Sequence, residues 1–271
     1  MQFKVIKNLL ETRIAPKEYL INGEIYGLQY GQADDTKLIK RILLTPDLNF
    51  ESIHFATVNK TNLILSYNSL INEPISKFNL TLIKKLTLLS NYPLLIYPLN
   101  SSLVAAEGGT SDTLMELLYL ELEKPLEIRN NKNISIPIGR ICLPKSYPEN
   151  VGIITLEKLL KRIKSNLEVD CLSFVGDLKS QVKKICVIGS DINDIELLRK
   201  VTKNGCDCFV SGTINNQFAN LANELELKLI QIPLYSCLNV TFKKIAQYLS
   251  LEFPYDDFIY YKKKELIKNY N

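Results

Sequence analysis

The chain has 271 residues, is 46% hydrophobic and carries 33 basic against 29 acidic residues, for a formal charge of +4. That length supports a sizeable buried core in two lobes, and basic residues dispersed along the sequence leave no nucleic-acid footprint. No apolar run approaches the ~20 residues of a membrane span, and MQFKVIKNLLETRI lacks the apolar centre and cleavage site of a signal peptide, so a cytoplasmic protein with no membrane partner is expected.

In chain order, hydrophobic periodicity predicts a helix over 1–14, strands over 25–30 and 39–45, a helix over 50–58, a strand over 62–66, a helix over 77–90, a strand over 93–97 and a helix over 110–121. The segment 122–150 holds Pro125, Pro137, Pro144, Pro148 and the turn Asn130-Asn131-Lys132-Asn133, and is expected to carry the chain from one lobe to the other. A helix over 155–165 and a strand over 170–175 follow. Then come KKICVIG, a helix from Asp191 to Lys203, CDCFVSG, a helix from Ile214 to Glu226, LKLIQIP and a helix from Ser236 to Leu249. Lys262 to Lys264 are expected to open a near-terminal helix. They and Lys158, Lys161, Arg162 and Lys164 read as solvated helix faces. Such alternation implies βαβ units, hence an α/β fold with largely parallel, helix-covered sheets.

Three stretches share one layout: LILSYNSLI (63–71), LIYPLNSSLVAAEGGTSD (95–112) and LIQIPLYSCLNV (229–240). Each passes from an apolar strand run into a polar or Gly-containing turn before a helix, which is where α/β sheets place binding residues. The six cysteines lie at irregular spacing in apolar runs, so packed, reduced thiols are expected. Cys206 and Cys208, on one face of a strand, leave a chelating or redox pair as the alternative.

Gly27-Leu28-Gln29-Tyr30-Gly31, IKRILLTPDL with Asp47, LILSYN, AAEGGTSD, Ile138-Gly139-Arg140-Ile141, VKKICVIGSD, GCDCFVSGT and LIQIPLYS follow one another in an order that resembles the NGG-one-interacting-factor-three-like family, also known as GTP cyclohydrolase I type 2-like. The resemblance spans about residues 5–250 and implies the NIF-three-like fold of two α/β lobes, with the end of the chain returning to the first. Residues 1–126 with 227–271 would form one lobe and 127–226 the other. It also implies a dinuclear metal centre in the cleft and a ring-shaped hexamer. The family's His-His pair falls here on Tyr67 and Asn68, its next His and Asp on Asn100 and Val104, and its last His and Glu on Leu234 and Leu238. Thr213 stands where the family has Glu or Asp, with Asn216 and Gln217 where a histidine is usual.

Two ions roughly 3.5–4 Å apart need imidazole and carboxylate donors. Val104, Leu234 and Leu238 have no donor atom, and amides and a phenol are weak ligands without a supporting carboxylate. His54, the single histidine, sits in the helical stretch FESIHFATV and replaces none of them. Neither a metal cofactor nor a catalytic residue is therefore assigned. Asp47, Tyr67, Asn68, Asn100, Thr213 and Asn216, with the apolar Val104, Leu234 and Leu238, are expected to line the former cleft and to suit a small neutral polar ligand. A homo-oligomeric ring is the expected partner state. Two alternatives stand: a hydrolase for a nucleotide or related phosphate compound using a hard divalent ion on Asp47, Glu107 or Asp112, and an adaptor for a protein partner. Gly189-Ser190-Asp191, and Thr110 or Ser111, read as helix N-caps.

Overall fold

In the computed structural model, which describes residues 1–21, 23–32, 34–71, 75, 77–145, 153–192 and 194–264, the elements in chain order are α1 (Phe3–Leu9) with a π-helical turn (Leu10–Ile14), β1 (Arg41–Thr45), α2 (Phe50–Val58), β2 (Leu63–Ser66), α3 (Leu80–Ser90), β3 (Leu95–Pro98), α4 (Asn100–Ala105), α5 (Thr110–Leu117), β4 (Leu120–Arg129), β5 (Ser135–Pro144), β6 (Ile154–Thr155), α6 (Leu156–Leu167), β7 (Ser173–Val175), β8 (Gln181–Val182), β9 (Ile185–Val187), α7 (Ile195–Lys203), β10 (Cys208–Ser211), α8 (Asn216–Glu224), β11 (Lys228–Gln231), α9 (Leu234–Glu252) and β12 (Asp257–Tyr260). The chain forms two units, residues 1–103 with 238–264, and residues 104–237.

The first unit carries a four-stranded sheet in the order β12-β1-β2-β3, parallel throughout. Strands covered on both faces read as continuous apolar runs, and β2 and β3 are buried at every position. Leu43, Ile53, Ile64, Leu89 and Ile96 pack into the core beside them. Asn49 starts α2 by accepting from Ser52 N at 2.8 Å, and Asn79 starts α3 by accepting from Leu82 N at 2.8 Å. Pairing aligns Thr45 with Ser66 and Ser66 with Pro98, so the residues just beyond all three strands leave the same edge of the sheet.

The expected strand over 25–30 does not form. Gly27 and Gly31 take φ values of +92° and +84°, outside the extended region, and only an isolated bridge joins Tyr30 to Ile96. A Cβ on Gly31 would lie 2.5 Å from the Leu94 carbonyl oxygen, so this close approach requires glycine.

The second unit has a six-stranded sheet in the order β4-β5-β9-β10-β11-β7. Its centre, β9-β10-β11, is parallel and its flanks are antiparallel. The fold is thus α/β, with helices covering sheets whose buried cores are parallel. α6 buries Leu156, Leu159, Leu160, Ile163 and Leu167 at helical spacing, each worth about 1.5–3 kcal/mol against exposure.

The segment read as an inter-lobe passage is a hairpin of β4 and β5, and the helix expected to reach 121 stops at Leu117. Pro125 is tolerated because β4 is an edge strand, whose outward N–H groups need no ladder partner. The Asn-rich turn closes the hairpin, with Asn130 Oδ1 accepting from Lys132 N and Ile134 N at 3.0 Å each. Since β4 pairs with β5 and β11 with β10, the division between units falls at 103/104 and 237/238 instead of 126/127 and 226/227. Pro148 and the expected near-terminal helix beyond Lys264 lie outside the described residues. β12, which had no signal of its own, pairs in parallel with β1.

Candidate functional site

Four expected site residues gather at the carboxyl edge of the first sheet. Asp47 follows β1, Tyr67 and Asn68 follow β2, and Asn100 follows β3. Asn68 donates its Nδ2 to Asp47 Oδ1 at 3.3 Å, and its backbone N–H reaches Pro46 O at 3.3 Å. Asn100 N donates to Tyr67 O at 3.1 Å, while Asn100 Oδ1 accepts from Ser69 Oγ at 3.2 Å and Asn100 Nδ2 donates to the Ile25 carbonyl. Asn100 holds φ at +50°, a left-handed conformation that asparagine tolerates better than most residues.

Asp47 is also the end of an ion pair that the sequence did not reveal. Lys263, read as part of a solvated run, is 8% exposed, and its Nζ lies 3.2 Å from Asp47 Oδ2. Asn239 on α9 holds it from behind, accepting from Lys263 N at 2.9 Å and donating to Lys263 O at 2.7 Å. The Tyr260 hydroxyl donates to the same Asn239 Oδ1 at 2.8 Å. Beside Asn100, Glu24 Oε2 accepts from the Ser101 hydroxyl and from Ser101 N at 3.3 Å; desolvation raises the Glu24 carboxyl above its ordinary value against these bonds. The polar turns after β2 and β3 were a signal for Ser69 and Ser101. Nothing local marks Lys263.

Leu238 is fully buried in the first unit. Val104, Leu234, Thr213 and Asn216 belong to the second. Val104 is fully buried, Leu234 half-buried at the start of α9, and Asn216 exposed at the start of α8. Thr213 Oγ1 donates to Asp191 Oδ1 at 3.2 Å. A Cβ on Gly212 would lie 2.3 Å from that oxygen, so glycine is what lets the carboxylate rest on the backbone; the desolvation raises the Asp191 carboxyl above its ordinary value.

The expected caps are corrected. α7 begins at Ile195 and is capped by Asp194, whose Oδ1 accepts from Glu196 N at 3.0 Å, not by Ser190 or Asp191. Thr110 is already inside α5, which has Gly109 at its N-cap. Ser111 Oγ donates instead to Ile138 O at 2.8 Å, and Asp112 Oδ2 accepts from Gly108 N at 2.8 Å. Asp112 forms a buried ion pair with Arg140, whose guanidinium also donates to the carbonyls of Ala105, Ala106, Pro137 and Gly139.

All six cysteines are free, and five are buried. Burial pushes the Cys142 and Cys206 thiols up to about 12 and raises Cys186 and Cys208 further, so these groups stay protonated and are poor ligands and nucleophiles. His54 is exposed and stacks on Phe50 with ring centroids 6.3 Å apart. Among the described residues, no three His, Cys, Asp or Glu side chains form a group that could hold a metal ion, and no helix is long and apolar enough to cross a membrane.

A model of the family described as Duf34/NIF3 (NGG1p interacting factor 3) matches residues 1–264. A Methanocaldococcus jannaschii protein named GTP cyclohydrolase 1 type 2 homolog is 26% identical over 254 residues, covering 92% of this chain and 95% of that one. A Clostridium perfringens protein of the same name is 27% identical over 234 residues, covering 86% and 85%. Among solved structures, reduced HcgD from Methanocaldococcus jannaschii matches with a TM-score of 0.78 at 25% identity, covering 96% of this chain and 97% of that one. A Bacillus cereus protein related to NIF3 matches at 0.81 and 17% identity, over 97% of each chain, a likeness of fold alone.

Proposed function

This chain belongs to the Duf34/NIF3 family, and from that premise we propose that it is a member without the dinuclear metal centre, acting as a non-catalytic ligand-binding or assembly protein. The observation that carries this reading is the state of the strand-end donors. The carboxylate of Asp47 is neutralised by Lys263, and Asn68 and Asn100 hydrogen-bond within the fold. The apolar Val104 and Leu238 are fully buried. Residues of this kind do not fit two adjacent cations, which need several anionic or imidazole donors free to coordinate.

What the first unit's edge offers instead is hydrogen bonding with little net charge, suited to a small neutral polar ligand met by Asp47, Tyr67, Asn68 and Asn100. A site of this kind does not suit a polyanion such as the GTP in the shared name of the curated relatives, so tight GTP binding would count against this reading. A hydrolase built on a hard divalent ion is the weaker reading, because Asp47 and Asp112, two of the three carboxylates it would use, are already paired with Lys263 and Arg140. We place the protein in the cytoplasm and assign it neither a nucleic-acid nor a membrane partner.

Support for assembly comes from α3. Only Leu89 of this helix is buried, whereas Leu80 is 75% exposed and Phe78, just before it, 63%. On α2, Phe50, Glu51, His54, Phe55 and Val58, with Tyr261, line a groove of about 420 Å³. Exposed apolar side chains grouped in this way are what a subunit interface can cover. Light scattering behind a sizing column should therefore give a mass several times that of one chain, as a homo-oligomeric ring requires. A monomer at micromolar concentration would remove this part of the reading.

A further inference from the structure

Lysine is among the residues least often buried, since its ammonium loses strong hydration on leaving water. Lys263 is nonetheless 8% exposed, and its position is built from both ends. Asn239 grips the backbone N–H and carbonyl of Lys263, with Tyr260 bonded to the same amide oxygen. At the other end, Nζ meets Asp47 Oδ2 at 3.2 Å, while Asp47 Oδ1 is held by Leu48 N at 3.0 Å and Asn68 Nδ2 at 3.3 Å. Four segments, α9, the chain after β12 and the loops after β1 and β2, thus hold this ion pair in place.

We infer that Lys263 is the built-in counter-ion of Asp47 at the carboxyl ends of β1 and β2, placed so that an external divalent ion is kept from pairing with that carboxylate. A compact ammonium is closer to a point charge than a guanidinium, so lysine can serve where a small ion would. The pair leaves the site electrically balanced without any bound metal. It also ties the segment after β12 to the first unit. This inference rests on the reading of the protein as metal-free, and its test separates the two.

The probe is Mn²⁺. Lys263→Met removes the ammonium while keeping an apolar stem of similar length, leaving Asp47 uncompensated. Thermal midpoints of the full chain, Lys263→Met, and Lys263→Met with Asp47→Asn are compared in ~10 mM MnCl₂ and in NaCl of equal ionic strength. Lys263→Met should gain about 2–3 °C from Mn²⁺, and the parent and the double variant should not gain. No greater gain in Lys263→Met than in the double variant overturns the inference. A parent that gains as much as Lys263→Met overturns both the inference and the metal-free reading. Should Lys263→Met fail to fold alone, refolding from denaturant with and without Mn²⁺ decides the question. Soluble yield recovered only with the ion supports the inference, and equal yields overturn it.

Discussion

Leu238→Glu should lower the unfolding free energy by about 3–5 kcal/mol, read as a fall in the denaturant midpoint at unchanged slope. Leu238 is fully buried in α9, so the substitution places a carboxylate where a leucine was packed against the interior. The transfer and cavity terms of the lost leucine add to the cost of desolvating the charge. Asn239, the next residue, is already committed to Lys263 and Tyr260. Leu238→Gln serves as the uncharged control and should cost less. A buried carboxyl titrates above its unfolded value of about 4.3, so the penalty is fully present above its folded pKa and fades as pH falls toward the unfolded one. A loss under about 1 kcal/mol at neutral pH would mean that position 238 opens to water and is not part of the core.

Asp112→Ala should cost a similar amount, about 3–5 kcal/mol, by a different route. Arg140 is 5% exposed, and Asp112 is the carboxylate it is paired with. Removing that carboxylate leaves a guanidinium in a low-dielectric interior with only backbone carbonyls to solvate it. The replacement Asp112→Ala with Arg140→Met should cost clearly less than the sum of the single changes, because the penalty lies in the unpaired charge and not in the loss of the pair. Chemical denaturation of the four proteins in the cycle measures this coupling. Additive losses would show that the carbonyls of Ala105, Ala106, Pro137 and Gly139 hold Arg140 without help from Asp112.

The sequence made legible those parts of the fold whose signals are local. Buried parallel strands such as Ile185–Val187 and Cys208–Ser211 are apolar runs set between amphipathic helices, and periodicity finds both. The hairpin of β4 and β5 was hidden because an edge strand admits Pro125 and a row of charges, the same composition that marks a linker. Asp47, Tyr67, Asn68 and Asn100 were named through the family resemblance, and the apolar strand shortly before each is the local signal that the residues themselves carry. Lys263 was not. Its burial depends on β12 pairing with β1 and on Asn239 reaching across from α9, both long-range events that leave no periodic trace. The misplaced N-caps have a simpler cause: Ser190 and Asp194 are both competent caps on the same loop, and only the tertiary path of the chain chooses Asp194.

Elemental analysis of untagged protein, purified without chelator and measured per mole of chain, tests the metal-free strand-end site most directly. With Asp47 held by Lys263 and uncharged or apolar groups at the other family positions, transition metal should be well below one equivalent per chain. Two equivalents per chain, lost on dialysis against chelator together with thermal stability, would contradict the account.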